Sequence, residues 1–355
     1  MFSEFENPLE LKPAELDQYL AEGWRPMGQS VYTCHFSFFG SKELYSTLCI
    51  RLPLNGYEFR KSLRKLMRRN DQQFQTVARP AVNTQEKELL NQVYRRHFTD
   101  KAPNSLRFFL GEPGQNLFPT YEIAVYDQGK LVALSFFDVG NTSMYSKMGI
   151  YDPSYKKYSL GFYTMLKEIE FGLQNNKSYY YPGYVTPFYP MFDYKLRIGR
   201  VEYLDLPTEV WRPYNSLREE NIPVVEMKNR LSDMQQRLKE LGIRSRLLTY
   251  RYFDIQLFDQ NVNRSLRHPM FLLCDSDSNL LHSHIIIYHP VKKSFHLYRI
   301  SFVNEFYNNA ACHQHLMAQK DLSVCEYFFL LALELESKAQ RAEEMILSLQ
   351  EIIVK

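Results

Sequence analysis

Between Tyr121 and Val185 the hydrophobic period of the chain changes twice, in an order that few folds accommodate. Tyr121 to Tyr126 and Leu131 to Val139 are β-prone runs joined by Asp127-Gln128-Gly129-Lys130, a turn whose chemistry closes a hairpin. Met144 to Ile150 continues as the next strand. Met165, Leu166, Ile169 and Leu173 then recur at helical spacing, with Lys167, Glu168 and Glu170 on the other side and Ser159 in the cap position. Ser178 to Val185 is aromatic, includes Tyr179-Tyr180-Tyr181-Pro182-Gly183-Tyr184, and reads as a strand feeding the loop at Pro187. The order is hairpin, strand, helix, strand.

The flanks are less regular. Pro13 to Glu22 reads as a helix, Ser30 to Phe39 and Tyr45 to Leu52 as strands, and Phe59 to Asn70 as a second helix. A third helix spans Thr84 to Phe98, with Thr84 as its cap and Leu89, Leu90, Val93 and Tyr94 facing inward. Ala102 to Thr120 reads as a loop. After Trp211-Arg212-Pro213 the character changes. Asn221 to Leu241 is amphipathic, with Met227, Leu231, Met234, Leu238 and Leu241 inward and Gly242 past its end. Strands are expected at Arg246 to Leu257, Met270 to Cys274, Leu280 to His289 and Phe295 to Phe302, with a hairpin turn at Asp275-Ser276-Asp277-Ser278-Asn279, and then a long helix from Leu322 to about Ile353.

At 355 residues the chain exceeds what one core usually fills. The segments 1–100, 101–212 and 213–355 are the expected domains. Five scattered cysteines, an odd number, argue against a disulfide framework and for a reducing compartment. The acidic first ten residues lack the apolar core of a signal peptide, and no apolar run is long enough to span a membrane, so a cytoplasmic protein is expected.

Net charge is +3, but residues 51–70 hold seven basic side chains against Glu58 alone. On a helix, Arg60, Lys61, Arg64, Lys65 and Arg68 form one stripe while Leu63, Leu66 and Met67 face inward. Such a stripe suits the phosphates of a tRNA acceptor stem, and it equally suits a solvated helix face. His282, His284, His289 and His296 alternate on neighbouring strands without a cysteine or carboxylate at ligand spacing, so no metal is expected there.

Leu131 to Val139, Ser143, Tyr145, Tyr151-Asp152-Pro153, Ser159-Leu160-Gly161, the tyrosine run, Pro190 and Tyr194-Lys195 together resemble the C-terminal half of the aminoacyl-tRNA protein transferases. Gly23-Trp24-Arg25, Gly28 and Tyr32 resemble the family's N-terminal part more faintly. Met191 stands where a basic residue is usual, and Phe192 where a methionine is. The family's cysteine cluster is reduced to Cys34 and Cys49 with no CxxC, too few soft ligands for a metal or iron-sulfur site. The resemblance covers residues 12–212. It implies an α+β fold with a GNAT-like acyltransferase core, preceded by an N-terminal α/β segment; the additional C-terminal α+β domain lies outside it. It also implies transfer of an amino acid, arginine being the first choice, from charged tRNA to the N-terminal amine of acceptor proteins with acidic N-termini, as in an N-degron pathway. Aminoacyl-tRNA is then a co-substrate and no cofactor is expected.

That chemistry is attack of an amine on an activated ester, so positioning and oxyanion stabilisation suffice. No GxSxG or other nucleophile signature is present. Asp138 is assigned as proton acceptor or cation partner, with a turn cap as the other reading. Tyr151, Tyr181 and Tyr184 are assigned to the oxyanion or to stacking on the terminal adenine, or else to packing, and Lys195 to a phosphate near the CCA end. In a GNAT-like carrier loop the positions of Lys156, Ser159 and Gly161 hold phosphate; the first glycine of that loop is missing, which leaves Ser159 and Gly161 as a loose anion nest at a helix N-terminus. Two rival readings are an acyl-CoA-dependent N-acyltransferase and a non-catalytic adaptor that binds degrons.

Overall fold

The computed structural model describes residues 2–40, 43–98, 102–112, 114–259, 262, 264–275, 282–319, 321 and 323–353. The chain starts with β1 (Ser3–Glu6), α1 (Pro13–Ala21), β2 (Arg25–Met27) and β3 (Ser30–Cys34), whose strands form a small sheet in the order β1-β3-β2. A hairpin of β4 (Phe36–Phe39) and β5 (Glu43–Ser46) follows. Each of the two long strands expected here is therefore broken in two.

The central unit comprises β6 (Leu48–Pro53), α2 (Lys61–Gln73), β7 (Gln75–Pro80), α3 (Gln85–His97), α4 (Arg107–Leu110), β8 (Thr120–Asp127), β9 (Lys130–Val139), β10 (Ser143–Tyr151), α5 (Leu160–Gln174), β11 (Tyr179–Val185), β12 (Glu202–Asp205) and β13 (Val210–Pro213). Its eight-stranded sheet has the order β13-β12-β6-β11-β10-β9-β8-β7. Strands from both sides of residue 100 share this sheet, β6 and β7 with β8 to β13. The β8–β9 hairpin turns through Gln128 at φ 49° and Gly129 at φ 84°, the left-handed pair that a two-residue hairpin turn requires. The strand–helix–strand unit β10–α5–β11 makes the parallel pairing. This meander followed by a parallel crossover is the element order expected of a GNAT-like core, in an α+β protein.

Alternation along β8 and β9 loads both faces of the sheet. Val125, Ala133 and Phe137 pack with Tyr163, Leu166 and Ile169 of α5, and Ala124, Leu134 and Phe136 pack with Leu90 of α3. In α3 the inward face differs from the expected one. Lys87, Leu90 and Asn91 are buried, whereas Leu89 and Val93 are exposed, because buried Glu122 on β8 draws Lys87 inward. In α5, Glu168 is buried instead of sharing the outer face with Lys167. Ser159 does precede α5, but it sits at φ 55° and its side chain caps nothing.

The C-terminal unit comprises α6 (Pro223–Glu240), β14 (Ser245–Tyr250), β15 (Met270–Cys274), β16 (Ser283–His289), β17 (Ser294–Val303), α7 (Asn309–Ala318), β18 (Val324–Cys325), β19 (Phe329–Ala339) and α8 (Ala342–Ile353). Its six strands run β18-β14-β15-β16-β17-β19. The segment expected as one long terminal helix is half strand, since pairing with β17 overrides the helix propensity of its Leu, Ala and Glu residues. Met227, Leu231, Met234 and Leu238 of α6 are buried as expected, but Leu241 is exposed. Of the expected turn at 275–279, only Asp275 lies within the described residues. No described helix is long and apolar enough to cross a membrane.

Candidate active site

The β10–β11 pairing holds from Ser143–Tyr179 to Tyr145–Tyr181, and then the strands part. Immediately afterwards β10 bulges at Lys147, between the Ser146 and Met148 pairs with β9. The gap opens into a cleft of about 880 Å³ lined by both strands, α2, the α5 N-terminus and the 190s segment. Gly161, Thr164, Met165 and Glu168 of α5 face it, at the three- and four-residue spacing of one helix face. The β11-facing edge of β10 has no strand partner beyond Tyr145, which leaves backbone groups directed at the gap.

The cleft is strongly cationic and aromatic-walled. Arg60, Arg69, Lys156, Lys157, Lys195 and Arg197 line it, with the positive end of the 15-residue helix α5 behind Ser159 and Gly161. Tyr94, Phe98 and Tyr151 form an aromatic group on one wall, with ring centroids 4.7 Å (Tyr94–Phe98) and 5.7 Å (Tyr94–Tyr151) apart. Phe162 and Tyr194 form another, with the Arg197 guanidinium 5.1 Å over the Phe162 ring.

A second cation stands behind Lys195. The Lys195 ammonium donates to the Tyr184 carbonyl at 3.1 Å and lies 5.1 Å from the Tyr184 ring. On that ring, at 4.8 Å, rests the guanidinium of Arg25, which is only 3 % exposed and is held on its other side by Tyr32 at 4.9 Å. Arg25 donates to the Cys34 carbonyl at 2.7 Å, its Nε has no hydrogen-bond partner, and among the described residues no carboxylate pairs with it. Burial, with Arg25 adding to it, pushes the Lys195 ammonium down to about 7. Cys34 and Cys49 flank this arginine as thiols that donate to the carbonyls of Phe36 and Gly23. Among the described residues no group of three or more His, Cys, Asp or Glu is placed to hold a metal.

The sequence assignments are only partly brought together. Tyr151, Ser159, Gly161, Lys195 and Arg60 line the cleft. Lys61, Arg64, Lys65 and Arg68 are exposed on α2 as the expected stripe but do not line it. Asp138 points elsewhere: it is fully buried, accepts from Thr120 Oγ1 at 2.6 Å and pairs with the buried Lys147 ammonium at 3.0 Å. Desolvation raises the Asp138 carboxyl and lowers Lys147, and each partner opposes the other's shift. Tyr181 packs against Trp211 near Arg51, away from the cleft, and Tyr184 serves as the platform between two cations. Sequence reasoning missed Arg69, Tyr94 and Phe98, which reach the site from neighbouring helices, and Glu168. The spacing of Gly161, Thr164, Met165 and Glu168 was the available signal for the last.

Residues 70–205 match the family model described as "Arginine-tRNA-protein transferase, C terminus". The aspartate/glutamate leucyltransferase of Campylobacter jejuni (strain RM1221) is 27% identical over 197 residues, covering 53% of this chain and 80% of that one. The Saccharomyces cerevisiae arginyl-tRNA–protein transferase 1 is 31% identical over 120 residues, covering 34% of this chain and 24% of that one. A tandem GNAT protein from the clavulanic acid biosynthesis pathway aligns at a TM-score of 0.33 with 12% identity, over 60% of each chain.

Proposed function

We propose, from the premise that residues 70–205 place this chain in the aminoacyl-tRNA protein transferase family, that the β10–β11 cleft receives the 3′ end of a charged tRNA and passes its amino acid to a protein N-terminal amine. The observation that carries this reading is the composition of the cleft: aromatic walls suited to an unpaired adenine, and Arg60, Arg69, Lys156, Lys157 and Arg197 with a helix N-terminus suited to its phosphates. The exposed α2 stripe continues the positive surface outward, where it would follow the acceptor stem without reading sequence. Ester attack needs no nucleophilic side chain, and the unpaired edge of β10 offers amides for the oxyanion.

In this reading Lys195, backed by Arg25, takes an acidic acceptor side chain. Two neighbouring cations without a carboxylate constitute an unfilled anion site, and an incoming Asp or Glu would restore the Lys195 charge. Binding of such a peptide at pH 8 to 9 should therefore draw up to one proton from solution, measured calorimetrically in buffers of different ionisation enthalpy. An Ala-initiated peptide should draw none. Asp138 acts on the site through Lys147 at the β10 bulge, as a positioning residue.

The test is N-terminal transfer from each charged tRNA to peptides beginning with Asp, Glu or Ala, with RNase treatment and acyl-CoA as controls. Arginine is the first donor to try, after the matched family description and the yeast relative, and leucine the second, after the Campylobacter relative. RNase-sensitive transfer supports the reading. RNase-resistant transfer from acyl-CoA overturns it, and peptide binding without transfer from any donor points to an adaptor.

A further inference from the structure

Among the described residues of the central unit, three carboxyls are fully buried: Glu122, Asp138 and Glu168. Glu122 is neutralised by Lys87 at 2.5 Å and Arg79 at 2.7 Å, and Asp138 by Lys147 at 3.0 Å. Glu168 has no such partner. Its Oε2 accepts from the Tyr180 hydroxyl at 2.7 Å, and its Oε1 is buried without a hydrogen-bond partner. The polar and titratable groups acting on it are Tyr180 from β11, Ser135 from β9, Ser146 from β10 and Tyr194 from the 190s segment, with no cation among them. Of the three, Glu168 alone lines the cleft. A packing role would be filled more cheaply by an apolar or amide side chain, since an unpaired buried carboxyl carries a desolvation cost.

We infer that Glu168 is the catalytic base of this site, accepting the proton of the attacking amine through the buried, unpartnered Oε1 while Tyr180 fixes Oε2. The inference rests on the aminoacyl-transfer reading above. The amine nitrogen bonds to the acyl carbon, the bond from that carbon to the ribose oxygen of the tRNA breaks, and the amine proton moves to the Glu168 carboxylate and then to the departing ribose oxygen. Burial raises this carboxyl to about 7, and Ser135, then Tyr180 and Ser146, oppose that rise by hydrogen bonding. A base of that strength is ionised in a useful fraction near neutral pH yet holds a proton well enough to receive one.

The experiment is single-turnover transfer across pH 6 to 9 with the full chain, arginyl- and leucyl-tRNA, and an Asp-initiated peptide. Glu168→Gln preserves volume and should slow transfer by about 10²-fold or more, with aminoacyl-tRNA affinity within about threefold of wild type and the acid limb near pH 7 lost. Tyr180→Phe should keep most of the rate and move that limb to higher pH, because it removes a hydrogen bond that holds the carboxyl down. This shift also decides the matter if Glu168→Gln does not fold. Ionisation of the acceptor amine is common to all variants and produces neither change.

Wild-type transfer with an unchanged Glu168→Gln rate and a superimposable Tyr180→Phe profile overturns the assignment and leaves the transferase reading intact. A loss confined to arginyl-tRNA affinity, with the pH profile unmoved, overturns it in favour of a cation-binding carboxylate. Absence of wild-type transfer from any charged tRNA overturns both.

Discussion

Among the described residues each large sheet contains one parallel strand pair: β10–β11 in the middle of the central sheet, and β14–β18 at one end of the C-terminal sheet. In the middle, divergence of the pair leaves two walls and a helix between them, and a cleft results. At the end, the pair spans only Thr249–Val324 and Tyr250–Cys325 and has no strand beyond it. The buried polar groups of the two units differ correspondingly. In the C-terminal unit, Ser283 Oγ lies 2.8 Å from His313 Nδ1 and accepts from Asn309 at 3.2 Å, while His313 Nε2 lies 3.4 Å from Asp275. That network joins buried groups of one unit to one another, although His313 Nε2 makes no hydrogen bond. Glu168 leaves one oxygen without a hydrogen-bond partner and lines the cleft. Polar groups that partner one another hold a fold, and those left short of a partner beside a cavity are available to a ligand.

The largest test of this contrast is thermodynamic. Glu168 has a folded pKa of about 7 against 4.5 unfolded, so it contributes stability that is fully present below pH 4.5 and lost as pH rises through 7. Wild type should therefore lose up to ~3 kcal/mol more than Glu168→Gln between pH 4.5 and 8, read by chemical denaturation. Equal pH dependence in the two would mean that Glu168 is solvated like a surface carboxyl. Next, Arg64→Glu with Arg68→Glu should weaken tRNA binding by roughly tenfold or more at low salt and flatten the slope of log K against log salt by about 2. An unchanged slope would confine tRNA contact to the cleft. The smallest effect is expected in the network of Ser283, Asn309 and His313. Ser283→Ala should cost about 1 to 2 kcal/mol of stability with transfer unaltered, and altered transfer would join the two units functionally.

The part of the fold that was legible in advance is the part whose signals are local. The β8–β9 turn, the period of α5 and the aromatic strand β11 each depend on neighbouring residues alone, and all three were expected in place. The α2 stripe was also legible, because like charges at helical spacing have nowhere to go but outward. What escaped depends on partners distant in sequence. Lys87 is drawn in by Glu122, β19 is made a strand by β17, and Glu168 turns inward because Tyr180 receives it. Asp138 is the opposite case. An acidic residue at a strand end invited a catalytic role, and the lysine that neutralises it comes from a bulge no pattern announced.

Phe2, Phe36 and Leu44 are buried in the core of the C-terminal unit, with Phe36 edge-on to Phe253 at 6.5 Å, and Ser46 Oγ accepts from the Val224 amide at the start of α6. For a chain emerging in order from a ribosome, this sets an assembly schedule. Phe39 and Tyr45 of the β4–β5 hairpin can pack on Tyr189 of the central unit early, but Phe36 and Phe38 cannot reach their partner until Phe253 has been made, so they must wait exposed or guarded while the central sheet closes. The sheet carrying the cleft can form first, and the hairpin beside Arg25 locks last. The anion site behind Lys195 would then mature only when the distant C-terminal unit docks.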